Sequence, residues 1–517
     1  MKNIKLLISI IAIITFIASC MELDQINPNS PTVESFWKTE KDLYTGLMGA
    51  YARLQDDYYG GGRINGVALN LSDIGTTVRP SGEYYQVARF IIEPSEFYWW
   101  GPSYQIISRA YQVIDRAEGI GDNGDIRGMV GEAKFLVALA YYNLTQMFGY
   151  NIAYVDHEMI PDEFAPRADS TTIHDLMEGL LKEAIPDLPY QYSMDQYGRV
   201  TKGAAQSLLG KMYMQFHEYQ KASEQFTEVI GSQQYELLDS FKYNFTKHGD
   251  INNESIFQVN FRLNGPNTDT DENGIYHSYG LIEKDELFAD YHPTPFVLES
   301  FRKELDKDGN PDPRLNETLF HENHPGTYYG MTYDEWRYLG PLDLLQTGSW
   351  DTIYNSTFMK YSEQEGYEAS GREPDNLVFD GQYKIGQTDF IVIRYADILL
   401  LQAEALNAMT GPGAVDDLGN SAYDYVDMVR ERSNMHPLST IKPNLSQSEF
   451  LQQLQHERVV ELAEECVRYF DLKRWGLYNN SNPNDSDFET WTFEDRWANI
   501  PLDEREVNPN LLPNPGY

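Results

Sequence analysis

The stretch Gln206–Phe226, QSLLGKMYMQFHEYQKASEQF, decides how this chain is built. Leu209, Gly210 and Tyr213, then Ala222 and Phe226, fall at the spacing of two short antiparallel helices that pack small residues against large ones. The same pairing recurs on both sides. Upstream, Gly131–Phe148 and Thr172–Leu188 make one helical pair across a connection holding Pro161 and Pro166. Before that, Thr39 is placed to cap a helix through Leu54, with Leu43, Leu47, Ala50, Tyr51 and Leu54 on one face, and Tyr104–Glu118 repeats the pattern with Ile107, Tyr111 and Ile114. Downstream, Arg394–Met409 and Ala422–Arg432 form another pair, punctuated by Gly411, Pro412 and Gly413.

Four such pairs predict a curved, mainly α scaffold of the tetratricopeptide-like kind, although Gln206 stands where that repeat usually has tryptophan. The scaffold is expected over residues 33–240 and 389–476, with two irregular regions, 55–102 and 241–388, inserted in it. The first is a long loop containing Gly60, Gly61 and Gly62; a connection of that length inside a compact protein is usually functional. In the second the helical period gives way to Gly, Pro, Asn, Asp and aromatic residues, with short β-like runs such as Ser255–Phe261. It is too aromatic for disorder and reads as a large loop-rich insertion subdomain. A last long helix is expected from about Ser448 to Trp475, stopped by Gly476. Its interleaved charges, Glu457, Arg458, Glu461, Arg468, Asp471 and Arg474, read as a structural ion network and not as a catalytic site.

Residues 1–19 read as an export signal: Lys2 and Lys5 precede the apolar run Leu6–Ile17, which is too short to span a bilayer. The ending Ile17, Ala18, Ser19, Cys20 resembles a bacterial lipobox, so Cys20 is expected to carry lipid and to begin the mature chain, residues 20–517. Cys466 is then the sole remaining cysteine and no intrachain disulfide can form. The net charge of −39 excludes nucleic acid as a partner and disfavours polyanionic ligands, leaving neutral or cationic ones. With 37 Tyr and 8 Trp, many in polar, Gly-rich stretches, the chain is rich in the flat, wet-edged side chains that recognise neutral sugars.

Motifs for bond chemistry are sparse. Among 79 carboxylates some acidic pair must resemble a glycosidase dyad, which carries no weight without distances. Ser35–Lys38 and Ser300–Lys303 satisfy a serine-x-x-lysine string without its companion motifs. His321 and His324 lack a second cluster for zinc. Asp306, Asp308, Asn310 and Asp312 alternate as calcium ligands do, but without a terminal Glu at the right spacing they read as a solvated turn. No cofactor and no metal is expected.

The ordered set of Cys20–Asp24, Phe36–Thr39, Glu132–Phe148 (EAKFLVALAYYNLTQMF), Arg199–Gly210, Asp312–Arg314, Ile393–Asp397, Glu457–Trp475 (ERVVELAEECVRYFDLKRW), Ile500–Pro501, Asn508–Asn510 and Asn514–Tyr517 resembles the SusD/RagB-type outer-membrane nutrient-binding lipoproteins over essentially the whole mature chain. Departures are local: Arg127 only loosely matches an arginine before the Glu132 helix, and Ala138, Leu139, Ala140 stand before the paired tyrosines. The resemblance implies a lipid-anchored surface protein that binds glycan without cutting it and sits as a lid on a TonB-dependent, SusC-like transporter in the outer membrane. It places ligand contacts in the first loop, at Tyr58, Asp73, Arg79, Tyr84, Tyr98, Trp99 and Trp100, and in the insertion, at Tyr276, Tyr328 and Trp336. Of the paired tryptophans, Trp100, four residues before Tyr104 at a helix entrance, is the better structural anchor. A peptide-binding member of the same family and a secreted glycoside hydrolase are the alternatives.

Overall fold

The computed structural model describes residues 36–55, 59, 63–77, 86–87, 99–158, 164–246, 251–261, 291–328, 332–335, 356–361, 389–477 and 497–514. Helix α1 (Glu40–Gln55) starts where Thr39 predicts: the Thr39 hydroxyl donates to Asp42 at 2.7 Å, and the Asp42 amide donates back to the hydroxyl at 3.3 Å. Leu43, Leu47, Ala50 and Leu54 are its buried face. A short helix, α2 (Arg63–Asn70), follows, and then α3 (Trp100–Ala117). Helix α4 (Gly124–Phe148) begins earlier than its apolar period suggests, because Asn123 accepts the Ile126 amide at 2.9 Å and starts the helix on polar residues. Asp169 and Thr201 cap α5 (Ser170–Ala184) and α6 (Lys202–Gln215) in the same way. Helix α7 (Tyr219–Gly231) closes the pair read from Gln206–Phe226. A methyl group on Gly210 would sit 2.4 Å from the Phe226 ring, so the glycine is what lets the large side chain of one helix press on the backbone of the other.

In the second irregular region, α8 (Pro295–Arg302) and α9 (Arg314–Thr318) are short. The scaffold resumes with α10 (Tyr395–Thr410), buried on nearly every side, and α11 (Ala422–Arg432), held by the reciprocal Ser421–Asp424 capping box. The one-turn α12 (Leu438–Ile441), α13 (Gln447–Leu462), α14 (Arg468–Arg474) and α15 (Leu502–Val507) complete the described helices. Helix α1 packs on α3, α3 on α4, α4 on α5, α6 on α7, α7 on α10 and α10 on α11, so each helical pair leans on the next as in a solenoid. The mainly helical architecture read from the sequence is the one observed.

One helix was expected where two are found. The Ser448–Trp475 segment breaks after Leu462, and Glu464 and Cys466 take left-handed backbone angles (φ 70° and 62°) before α14 begins. The apolar period runs through this break, which is why it is invisible in the sequence. At the break the buried Lys360 ammonium donates to the carbonyl oxygens of Glu461 (3.1 Å) and Ala463 (2.7 Å), and Arg394 Nη2 to that of Glu461 (3.1 Å), so carbonyls that a continuous helix would have used are satisfied from outside it.

Among the described residues, three antiparallel two-stranded ribbons join segments distant in the chain. Strand β1 (Gly75–Thr76), in the first loop, pairs with β3 (His292–Pro293) in the insertion. Strand β2 (Ser255–Val259) pairs with β6 (Phe390–Arg394), and β4 (Leu319–His321) with β5 (Ser356–Phe358).

Candidate functional site

The motifs scattered along the sequence converge on one buried charge network. Arg314 donates to Asp312 (2.7 Å), Glu457 (2.7 Å) and Glu461 (2.8 Å). Arg394, at the end of β6, donates to Glu254 and Glu461 (both 2.6 Å) and to Glu465 (2.8 Å). On the other side of α13, Arg458 grips Asp471 (2.7 and 3.0 Å) and Asp397 (2.8 Å), and Arg474 pairs with Asp471 and Glu404. All of these side chains are buried. The arginines hold Glu457 and Glu461 below the usual carboxylate range against the cost of burial. Each acid is committed to a cation: the Arg314 and Arg394 set forms a weld between residues 254–314, β6 and α13, and the Arg458 and Arg474 set ties α10, α13 and α14 together.

Against this weld lies a cavity of about 100 Å³, walled by α4, α6, β6 and the break between α13 and α14. Its lining combines aromatic and amide side chains with Lys211, Arg458, Glu465, Asp471 and Arg474, whose charges are paired within the ion clusters. Trp99 stacks on Phe470 with centroids 6.0 Å apart, and Tyr59 on Phe390 at 5.3 Å. The Asn143 amide donates to the Tyr59 hydroxyl at 3.0 Å, and the buried indole N–H of Trp99 has no hydrogen-bond partner among the described residues. Stacked rings beside amide groups are suited to a neutral ligand with an apolar face and hydroxyl edges.

Of the expected contact residues, Trp99 lines this cavity. Asp73 does not reach it: both its oxygens accept from Arg468 (2.8 and 2.7 Å), a tie between the first loop and α14. Trp100 is the packing anchor its position suggested, 4.9 Å from the Tyr104 ring and 5.2 Å from Phe148. Tyr328 is only 1% exposed, stacked on Phe320 and bonded through its hydroxyl to the Phe358 carbonyl, so it too packs the interior. Tyr58, Arg79, Tyr84, Tyr98, Tyr276, Trp336 and the lipidation residue Cys20 lie outside the described residues. Phe470, Phe390 and Asn143 were missed. Phe470 belongs to the apolar face expected of a single long helix, and only the break turns it into a cavity wall.

The metal-like patterns resolve into structure. His321 meets the Asn316 side chain at 3.0 Å and His324 the Asn316 carbonyl at 3.0 Å. Asp306 accepts the amides of Asp308 and Asn310 (2.9 and 2.8 Å) and closes the turn. That turn is less solvated than expected, since Asp306 and Asp312 are buried. Another His/Asp/Glu group, His174, Asp175 and Glu178, gathers on α5, where Glu178 already accepts from Lys182 (2.8 Å) and Tyr213 (2.6 Å).

Comparison with known proteins gives concordant findings. Residues 253–517 match the model of the SusD family, and residues 82–214 a model described as "Starch-binding associating with outer membrane". The chain is 26% identical to SusD-like protein P2 of Formosa agariphila, with all of both chains covered, and 24% identical to SusD-like protein P25 of the same organism, covering 98% of this chain and 97% of that one. Among solved structures, a SusD superfamily protein from Bacteroides vulgatus superposes with a TM-score of 0.77 at 22% identity, covering 93% of this chain and all of its own. A laminarin-binding SusD-like protein superposes with a TM-score of 0.72 at 25% identity over the same shares.

Proposed function

We propose that this chain, which belongs to the SusD/RagB family, is a cell-surface glycan-binding protein that captures an oligosaccharide or polysaccharide and passes it, uncut, to a TonB-dependent outer-membrane transporter. The observation that carries this reading is the likeness, along nearly the whole chain, to a structure described as laminarin-binding. The cavity lined by Trp99, Phe470, Tyr59 and Phe390 supports it chemically, because ring surface beside the Asn143 and Gln146 amides suits the apolar face and hydroxyl edges of a sugar. Two or three such contacts, each about 0.5–1.5 kcal/mol beyond area burial, give modest affinity, which suits a protein that must release its cargo to a transporter.

Attachment to the membrane is assigned to lipid on Cys20. No helix among the described residues is long and apolar enough to cross a bilayer. The family description, which names outer-membrane association, supports that location. The helical array is the face assigned to the transporter, and the loop-rich side the face assigned to glycan.

The test is titration of the lipid-free mature chain against neutral glycans, laminarin among them, and against oligopeptides, with the recovered ligand weighed by mass spectrometry. Binding of one glycan class, recovered intact and weakened by Trp336→Ala, is the expected result. Shortened product would replace capture by hydrolysis, and binding of peptide alone would move the chain to the peptide-binding branch.

A further inference from the structure

A second cavity lies across the β2–β6 ribbon from the first. Strand β2 forms one wall, the segment leading into α6 another, and Gln234, Tyr235 and Ile251–Asn253 the rest, around about 220 Å³. Its composition is unusual for this chain. Four tyrosines, Tyr190, Tyr192, Tyr197 and Tyr235, line it together with the amides of Gln191, Gln234, Asn252 and Asn253. No carboxylate among the described residues does, in a sequence holding 79 Asp and Glu. The one charged lining residue, Arg199, is neutralised by Glu132, to which its Nε donates at 3.0 Å.

The rings are held in place. The Tyr197 hydroxyl donates to the Asn252 carbonyl at 3.2 Å and accepts the Asn252 amide at 3.3 Å, and the Tyr235 hydroxyl lies 3.0 Å from Thr201 Oγ1. Gly203 leaves the room that Tyr235 occupies: a Cβ there would lie 2.3 Å from the hydroxyl and 2.6 Å from a ring carbon. In the β2 wall the Ser255 hydroxyl is buried with no partner among the described residues. Around the mouth, Tyr190 (53%), Met194 (67%) and Ile251 (50%) are exposed, a cluster of apolar surface where a folded chain ordinarily places polar groups.

We propose that this cavity is a second saccharide subsite, built between the segment leading into α6 and residues 251–258 and separate from the Trp99 cavity, that takes a neutral sugar unit. Tyrosine faces and the apolar rim receive the sugar ring; the amides and Ser255 exchange hydrogen bonds with its hydroxyls. A cationic ligand would meet no carboxylate on the lining; Lys202 and Arg199 lie over the Tyr190 and Tyr192 rings at 4.8 and 4.5 Å, and a polyhydroxylated neutral ligand meets the remaining ring surface and the amides. The assignment of a saccharide rests on the reading of the chain as a glycan binder. Two subsites on one chain let a long glycan engage twice and be held by avidity while each contact stays weak.

The test counts ligands. Laminarin hexasaccharide and maltohexaose are titrated into the mature chain and followed by native mass spectrometry, beside Tyr190→Ala and Gln234→Ala, both at the solvent-facing side of the cavity. Two bound equivalents on the parent and one on the variants, with affinity for the polymer falling roughly tenfold, is the expected result. A single equivalent on the parent, or two retained by both variants, overturns the subsite and leaves glycan capture standing. If neither saccharide nor any other neutral glycan binds the parent, both readings fall together.

Discussion

Glu464 shows how one side chain records the cost of the weld. Its carboxylate is fully buried at the helix break; one oxygen accepts the Lys360 amide at 3.1 Å and the other has no hydrogen-bond partner among the described residues. Burial pushes its pKa well above the ordinary glutamate value, more than nearby Lys360 can offset. A folded-state pKa above the unfolded one means that the folded chain keeps a proton the unfolded chain has released. The residue therefore lowers stability progressively as pH rises above about 4.5, the ordinary value. Glu464→Gln mimics the protonated acid, so the variant is expected to match the parent near pH 4.5 and to exceed it increasingly toward pH 8, as read by urea midpoints across that range. A difference that stays constant with pH would show that the carboxyl is not held protonated.

The helical elements were legible because each announces itself locally. Thr39, Asp169, Thr201, Ser421 and Ser446 cap helices by accepting the amide three positions on, and Gly210 against Phe226 fixes the central pair. What depends on contacts distant in sequence was not legible: the carbonyls freed at the α13–α14 break are satisfied by Lys360 and Arg394, each far from it in the chain, and Phe470 lines the cavity beyond that break. For the same reason an aromatic residue in a loop read alike whether it meets solvent or core, and Trp100 and Tyr328 meet core. Local strain at the element scale is also testable. Gln233, two residues past the end of α7, is exposed and left-handed (φ 55°), the position where helices favour glycine. Gln233→Gly is expected to raise stability by roughly 0.5–1 kcal/mol, the relief of a side chain from that region less the added freedom of the unfolded glycine, and Gln233→Val to lower it by about 1–2 kcal/mol. Equal midpoints for the two variants in thermal melts would show that the turn carries no strain.

At the scale of the molecule, the arginine–carboxylate network joins what the chain order separates. Arg314 from α9, Arg394 from β6, Glu254 from just before β2 and Glu457 and Glu461 from α13 meet in one buried cluster, so these segments are fixed together by charge as well as by apolar packing. Buried ion pairs add little net stability when intact, yet breaking one leaves an uncompensated buried charge at about 3–5 kcal/mol. Protonation breaks them from the acid side. Glu304, which faces Lys442 (2.6 Å) and Arg430 (2.9 Å), is held at about 2, and Asp397, Glu457 and Glu461 are also held below their ordinary values by the cations they face. Carboxylates with depressed folded pKa values stabilise the fold above their unfolded values and lose that contribution as pH falls through the folded ones, so stability should drop steeply between about pH 4.5 and 2. Two opposing sets act above that window. His292 and His321, pushed down to about 4 by burial, favour unfolding as pH falls from 6.5, while Glu464, raised well above its ordinary value by burial, favours folding as pH falls toward about 4.5. The expected thermal profile is thus shallow from pH 8 to about 5 and collapses below 4.5, with glycan binding lost in the same interval, because the aromatic cavity is walled by the helices that the network holds. A profile that stays flat to pH 3 would show that apolar packing alone fixes the two sides together and that the buried charges are bystanders to it.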